Sequence, residues 1–176
     1  MKFKTCVIKD VFIIEQSPFY DIRGSFRRHL CLNELNKMDI NFKVSQANIS
    51  VNSKKGTLRG FHYALEKTKE HKIITCISGS AWNVIIDLRK TSPSYLKVFE
   101  TKLLAKNFSC IYIPSGCANA FLTLETNTNF HYYMNTFYDN EKVLGFRFDD
   151  PIFNINWPIK PLVISENDKV LPHLKI

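Results

Sequence analysis

The stretch GTLRGFHYALEKTKEHKIITCISGS, Gly56–Ser80, holds two runs of strand character, Thr57–Tyr63 and Lys72–Ser78, with charged residues between them. Each run is rich in aliphatic, aromatic and β-branched side chains, the composition of a half-buried strand. Against that pattern His62 sits inside the first run, and Lys72 opens the second ten residues later. Ionisable groups at positions claimed by a core are either edge residues at a wet margin or functional groups lining an interior space. The rest of the chain decides between the two.

Outward from this stretch the same character repeats. Runs at Phe3–Gln16, Phe42–Asn52, Ala81–Arg89, Leu96–Leu103, Cys110–Pro114, Ala120–Leu124, Asn129–Tyr138 and Gly145–Phe148 all read as strands. Turn chemistry punctuates them in NSKKG, SGS, KTSPS, PSGCAN and TFYDNEK. Helix is expected only at Leu32–Met38 and Glu166–Val170. About ten strands with almost no helix predict an all-β sandwich or barrel with jelly-roll connections. No repeat, low-complexity tract or linker interrupts the 176 residues, so one domain over 1–176 is expected.

Composition narrows the function classes. With 45% hydrophobic and 13% aromatic residues the chain can build a core without covalent staples. Its five cysteines, Cys6, Cys31, Cys76, Cys110 and Cys117, are odd in number and never form C-x-x-C, which argues against a disulfide framework and a zinc knuckle and predicts reduced thiols in a cytoplasmic protein. Lys2, Lys4, Lys9 and Asp10 break the N-terminal apolar run, so no signal peptide is expected, and no segment has the roughly 20 apolar residues of a membrane span. The net charge of +8 raises the question of nucleic acid. Basic residues are dispersed in ones and twos, however, as at Arg27-Arg28 and Lys54-Lys55, and match a small anionic ligand such as a sugar diphosphate better than a phosphate backbone.

In KVSQANISVN, Gln46, Asn48 and Ser50 share one strand face while Ala47, Ile49 and Val51 share the other. The apolar face can pack on a second sheet, leaving the polar face in water or lining a cavity. GTLRGFH has the G-x5-H opening of a metal cupin's first motif, and PSGCAN is similar to its second motif, P-x-G-x-x-H. Two ligand positions carry Ala64 and Asn119, and one imidazole cannot hold a divalent ion alone. No metal and no other cofactor is expected. His62 is then free to act as a base, since imidazole titrates near neutrality.

With these motifs the chain resembles the dTDP-4-dehydrorhamnose 3,5-epimerase family of metal-free, cupin-type jelly-roll barrels. Its landmarks run in order from FYDIRGSF through QANIS, KKGTLRGFHY, DLRKTSPSY, IPSGCANAF, FDDP and NWP to ISENDKVLP. The resemblance implies a homodimer, whose N-terminal strands cross to the partner, and a nucleotide-diphosphate 4-keto-6-deoxy sugar as substrate, epimerised for surface polysaccharide. It implies His62 as base, Asp168 as its carboxylate partner, Lys72 as the cation beside the enolate, and Tyr132 as the acid. Tyr133 would face the other side of the same strand. The resemblance further places Arg23, Arg59, Gln46 and Asn48 at the diphosphate and sugar, with Asn119 nearby, and Phe19, Phe26 and Tyr138 at the nucleotide end. Arg59 and His62 have opposite parity in a regular strand, so both reach one cavity only across a bulge, for which Gly60 is the expected place.

The chain departs from the family pattern at two positions. Arg28 stands where the family commonly has a base-binding glutamate, and Asn119 where it commonly has histidine. The first leaves CDP- and GDP-linked sugars open beside dTDP. Inversion at C3 or C5 alone is the nearest rival activity. A 3,4-ketoisomerase is a second enzymatic rival, although such enzymes use another histidine pattern. A nucleotide-sugar-binding cupin without turnover is the non-enzyme rival, and retention of His62, Lys72, Tyr132 and Asp168 together argues against it.

Overall fold

Two antiparallel sheets face each other in the computed structural model, which describes residues 1–139 and 143–175. Along the chain lie β1 (Lys2–Thr5), β2 (Phe12–Glu15), β3 (Phe19–Asp21), β4 (Gly24–Phe26), α1 (Leu32–Asn36), β5 (Gln46–Asn52), β6 (Leu58–Ala64), β7 (Lys72–Ser78) and β8 (Ser80–Asp87). They continue with β9 (Val98–Leu104), β10 (Ser109–Ile113), β11 (Cys117–Thr123), β12 (Thr128–Met134), β13 (Val143–Gly145) and α2 (Glu166–Lys169). One sheet has the order β1-β2-β10-β7-β12-β5 and the other β13-β6-β11-β8-β9, while β3 and β4 form a separate ribbon. From β5 to β12 nearly every connection crosses between the sheets, only β8 and β9 being sequential neighbours in one sheet. That wrapping is a jelly roll, and the all-β barrel expected from the strand spacing is what forms.

The boundaries differ from the sequence reading where turn chemistry was hidden. Phe3–Gln16 is not one strand but a hairpin of β1 and β2, with Lys2 opposite Glu15 and Thr5 opposite Phe12. The reversal uses Asp10 at φ +64°, a left-handed conformation that an aspartate tolerates. The β3–β4 ribbon falls outside the strands expected from sequence, being only three residues a side. Both short helices sit where expected, each ending within two residues of its expected end.

Between the sheets, Ile74, Ile111 and Phe130 from one side meet Ile85, Leu103 and Phe121 from the other. Phe121 and Phe130 stack with ring centroids 4.3 Å apart. Toward β5 and β6 the apolar filling stops, and the inter-sheet space becomes a cavity of about 710 Å³. The polar face of β5 lines it through Asn48 and Ser50, whereas Ile49 and Val51 are 64% and 61% exposed on the outside. The expectation that the apolar face packs on the second sheet is therefore corrected. Inward polarity wins because the interior on this side is open space rather than packed core. Outer faces elsewhere are covered, one by α1 and its flanks around Leu35, Ile40 and Phe42, the other by C-terminal residues such as Phe153 and Trp157. All five cysteines are free thiols, and no helix among the described residues is long and apolar enough to cross a membrane.

Candidate active site

The bulge at Gly60 sets the site. On β11, Asn119 pairs with His62 and Phe121 with Arg59, so Gly60 and Phe61 together face Ala120 and the register shifts by one. The shift cancels the parity difference, and both Arg59 and His62 line the cavity. Gly60 has φ +111°, and a Cβ there would meet the Asn119 carbonyl oxygen at 2.5 Å and Ala120 Cα at 2.8 Å. Only glycine fits such a position without displacing backbone.

Asp168 reaches this point from 106 residues away because the C-terminal segment is stitched to the start of β6. Thr57 bridges Val163 in parallel, and Leu58 N–H donates to the Val163 carbonyl at 2.8 Å. The chain then turns into α2, where Ser165 caps the helix by accepting from Asp168 N–H at 3.1 Å. Asp168 points back to β6, with Oδ1 2.7 Å from His62 Nε2 and Oδ2 accepting from Gly60 N–H at 3.3 Å. Burial pushes the Asp168 carboxyl upward, but the hydrogen bond and charge of His62, with help from Gly60 and Ser165, outweigh it and hold the carboxyl below its ordinary range. An ionised carboxylate only accepts, so Nε2 carries a proton in this pair, and in the neutral ring the basic lone pair lies on Nδ1.

The opposite wall comes from the other sheet. Tyr132 on β12 lies between Asn48 and Ile74 in register and faces the cavity. Tyr133 faces away, its hydroxyl 3.2 Å from His29 Nδ1. By accessible surface Tyr132 is half-buried, yet it lies deep enough for desolvation to push its phenol well above the ordinary value, a rise only partly offset by the positive charge of Arg59. Lys72 at the start of β7 also lines the cavity, and its Nζ is 3.1 Å from Glu70 Oε1. One cavity thus holds an imidazole with a carboxylate behind it, a phenol that stays protonated, and an ammonium. Chemically, this set can take a proton from an acidic carbon, stabilise the resulting oxyanion and return a proton from another wall.

The other residues singled out by the sequence divide into three groups. Asn48, Arg59, Asn119 and Tyr138 line the same cavity. Arg59 Nε is held by the buried Asn52 at 2.8 Å, and Asn119 Nδ2 donates to Asn83 Oδ1 at 2.9 Å and the Val84 carbonyl at 3.0 Å. Gln46 is tied to the rim, where its Oε1 accepts from Tyr138 N–H at 2.7 Å. Phe19, Arg23, Phe26 and Arg28 do not line this cavity. Arg23 pairs with Asp21 and Arg28 with Glu34 at 2.8 Å, while Phe19 and Phe26 are 66% and 79% exposed on the ribbon. Sequence reasoning missed Glu70, Asn52 and Ser165. For Glu70 the available signal was its spacing of two from Lys72, the relation that places residues on one face of extended chain, although β7 itself begins only at Lys72. For Ser165 it was the S-x-x-D cap pattern.

Among the described residues no three His, Cys, Asp or Glu side chains group as a metal site. The sequence profile of the dTDP-4-dehydrorhamnose 3,5-epimerase family matches residues 5–175. A dTDP-4-dehydrorhamnose 3,5-epimerase from Sinorhizobium fredii is 33% identical over 175 residues, covering 99% of this chain and 90% of the relative. Among solved structures, the Bacillus anthracis dTDP-4-dehydrorhamnose 3,5-epimerase with TDP and pyrophosphate bound superposes with a TM-score of 0.94 at 29% identity, covering 98% of this chain and 99% of that one. A 3'-monoepimerase from Streptomyces bikiniensis in complex with dTDP-quinovose has a TM-score of 0.88 at 26% identity, covering 94% and 84%.

Proposed function

Because the chain belongs to the dTDP-4-dehydrorhamnose 3,5-epimerase family, and so is an isomerase acting on a nucleotide sugar, we propose that it inverts C3 and C5 of a nucleoside-diphosphate 4-keto-6-deoxy sugar through His62 and Tyr132. The observation that carries this reading is the 2.7 Å His62–Asp168 pair on one wall of a cavity whose other walls supply Tyr132 and Lys72. Hydrogens on carbons beside a ketone are the acidic ones, and His62 Nδ1 takes one as the electron pair moves onto the ketone oxygen. Lys72 holds that oxyanion, an interaction worth about 3–4 kcal/mol where comparable donors have been removed. Asp168 stabilises the imidazolium that forms. Tyr132, kept protonated by its buried setting, returns a proton to the carbon from the opposite wall. Arg59 and Asn48 supply donors for the diphosphate and sugar hydroxyls.

The reading extends to a cytoplasmic homodimer supplying a 6-deoxy sugar for surface polysaccharide. Exposed Phe19, Ile22 and Phe26 on the ribbon and exposed Ile49 and Val51 on β5 support the dimer, since all are apolar surface that this chain leaves uncovered. Inversion at a single carbon is the second reading, favoured by the likeness to a 3'-monoepimerase. Incubation with dTDP-4-keto-6-deoxyglucose in deuterated water, alongside CDP- and GDP-linked counterparts, tests both readings. Deuterium is expected at C3 and C5, at one carbon alone for the second reading, and no incorporation with any nucleotide would overturn the epimerase chemistry. His62→Ala should abolish incorporation.

A further inference from the structure

Glu70 is a buried carboxylate in the cavity wall that the proposed proton transfers leave without a task. Two residues before Lys72, it shares that residue's inward face, and it is only 6% exposed. Its Oε2 accepts one long hydrogen bond, from Thr136 Oγ1 at 3.5 Å. Oε1 lies 3.1 Å from Lys72 Nζ, an ion pair whose angles fall short of a hydrogen bond, and among the described residues nothing donates a hydrogen bond to it. A buried carboxylate with an unfilled acceptor facing a cavity invites a donor from whatever fills that cavity.

We propose that Glu70 is a specificity-determining residue that accepts a hydrogen bond from the C3 hydroxyl of the substrate while steadying the Lys72 ammonium at the C4 oxygen. The proposal rests on the epimerase reading above. If Lys72 faces the C4 oxygen, an acceptor 3.1 Å from its nitrogen meets groups on the neighbouring carbons. C5 carries the ring oxygen and a methyl group, neither of which donates. C3 carries a hydroxyl, so it is the one neighbour able to fill Oε1. An ionised carboxylate is also the acceptor that gains most from such a donor.

The test compares deuterium incorporation beside the ketone for dTDP-4-keto-6-deoxyglucose and its 3-deoxy counterpart in the wild type, Glu70→Gln and Glu70→Ala. Both substrates keep exchangeable hydrogens at C3, and comparing variants cancels their intrinsic difference in acidity. Glu70→Ala should lower kcat/KM roughly ten- to hundredfold more for the hydroxylated substrate than for the 3-deoxy one, the usual range for a hydrogen bond to a charged group. Glu70→Gln keeps an acceptor oxygen of the same shape, so its differential loss should be several-fold. Affinity for dTDP alone should stay unchanged in both. Equal losses on the two substrates would mean that Glu70 only steadies Lys72 or the fold, and no loss would mean that it is idle. Either result overturns the proposal while normal wild-type turnover preserves the epimerase reading. A wild type that labels neither substrate overturns both.

Discussion

Replacing Gly60 with alanine tests whether the bulge holds the site together. The added methyl carbon would lie 2.5 Å from the Asn119 carbonyl oxygen and 2.8 Å from Ala120 Cα, which are backbone of a central strand and cannot swing aside. Overpacking of this kind costs about 1–3 kcal/mol. Holding an L-residue at φ +111° adds about 1–3 kcal/mol. For a domain of this length each kcal/mol lowers Tm by roughly 2–4 °C, so a fall on the order of 5–20 °C is expected. Gly24→Ala separates the two contributions, because Gly24 has φ +124° and nothing within 4 Å of the point where a Cβ would stand, and should show the torsional part alone. Calorimetry gives the stabilities, and solvent deuterium incorporation gives the activity. At temperatures where Gly60→Ala remains folded, incorporation should drop by about a hundredfold, since displacing Arg59 against His62 by an ångström spoils the reacting geometry. A Gly60→Ala protein within about 2 °C of wild type, roughly the shift that 1 kcal/mol produces, and fully active would refute the claim that the bulge aligns these two residues.

Three further outcomes follow from the same geometry. Asp87 is buried and accepts from Arg89 Nε at 2.8 Å and from Ser92 and Ser94 hydroxyls at 2.6 Å. Burial alone would raise its carboxyl, but Arg89 and the serines bring it down to about 2. A depressed value stabilises the fold above the unfolded carboxyl's range and loses that contribution as pH falls, so roughly 2 kcal/mol should disappear between about pH 4 and pH 2, and Asp87→Asn should flatten that acid limb in pH-dependent urea unfolding. Tyr132→Phe should keep deuterium exchange at the carbon that the proposed base His62 deprotonates while slowing inversion, and equal loss of both by NMR would remove Tyr132 from the acid role. Activity should survive exhaustive chelation, because the two cupin ligand positions hold Ala64 and Asn119, and restoration of a chelated enzyme by one specific ion would contradict this.

Much of this arrangement could be read from residue spacing, and the exceptions have physical causes. The strands from β5 to β12 follow from alternation bounded by turn residues, and the parity conflict between Arg59 and His62 announced a bulge at the one glycine between them. Alternation also put Tyr132 and Tyr133 on opposite faces. It could not say which face of β5 turns inward. The rule that apolar residues point inside presumes a filled interior, and here an open cavity reverses it for Asn48 and Ser50. The His62–Asp168 pair was equally closed to local pattern, because it depends on the Thr57–Val163 bridge, a contact between distant segments. Glu70 escaped attention because a lone glutamate beside lysines reads as solvated surface. Its spacing of two from Lys72 hinted at a shared face, and its burial in the fold is what sets it apart.

The β3–β4 ribbon presents apolar surface that this chain leaves uncovered. Phe19 stands opposite Phe26 across the ribbon, Tyr20 and Ile22 are exposed beside them, and none of these side chains belongs to a core of its own chain. A two-stranded ribbon is marginal in water, and three residues a side give it little to bury. Aromatic and aliphatic groups presented in this way lose hydration cost only when another surface covers them. Arg23 shares the ribbon; its only ion pair among the described residues is with Asp21, and its side chain is largely exposed. The cavity of one chain gathers His62, Tyr132, Lys72 and Tyr138 but none of Phe19, Arg23 and Phe26, so in the proposed dimer those ribbon residues would reach substrate only from the partner's side. A monomeric protein by light scattering that still discriminated among dTDP, CDP and GDP would show that the ribbon is not needed at the nucleotide end.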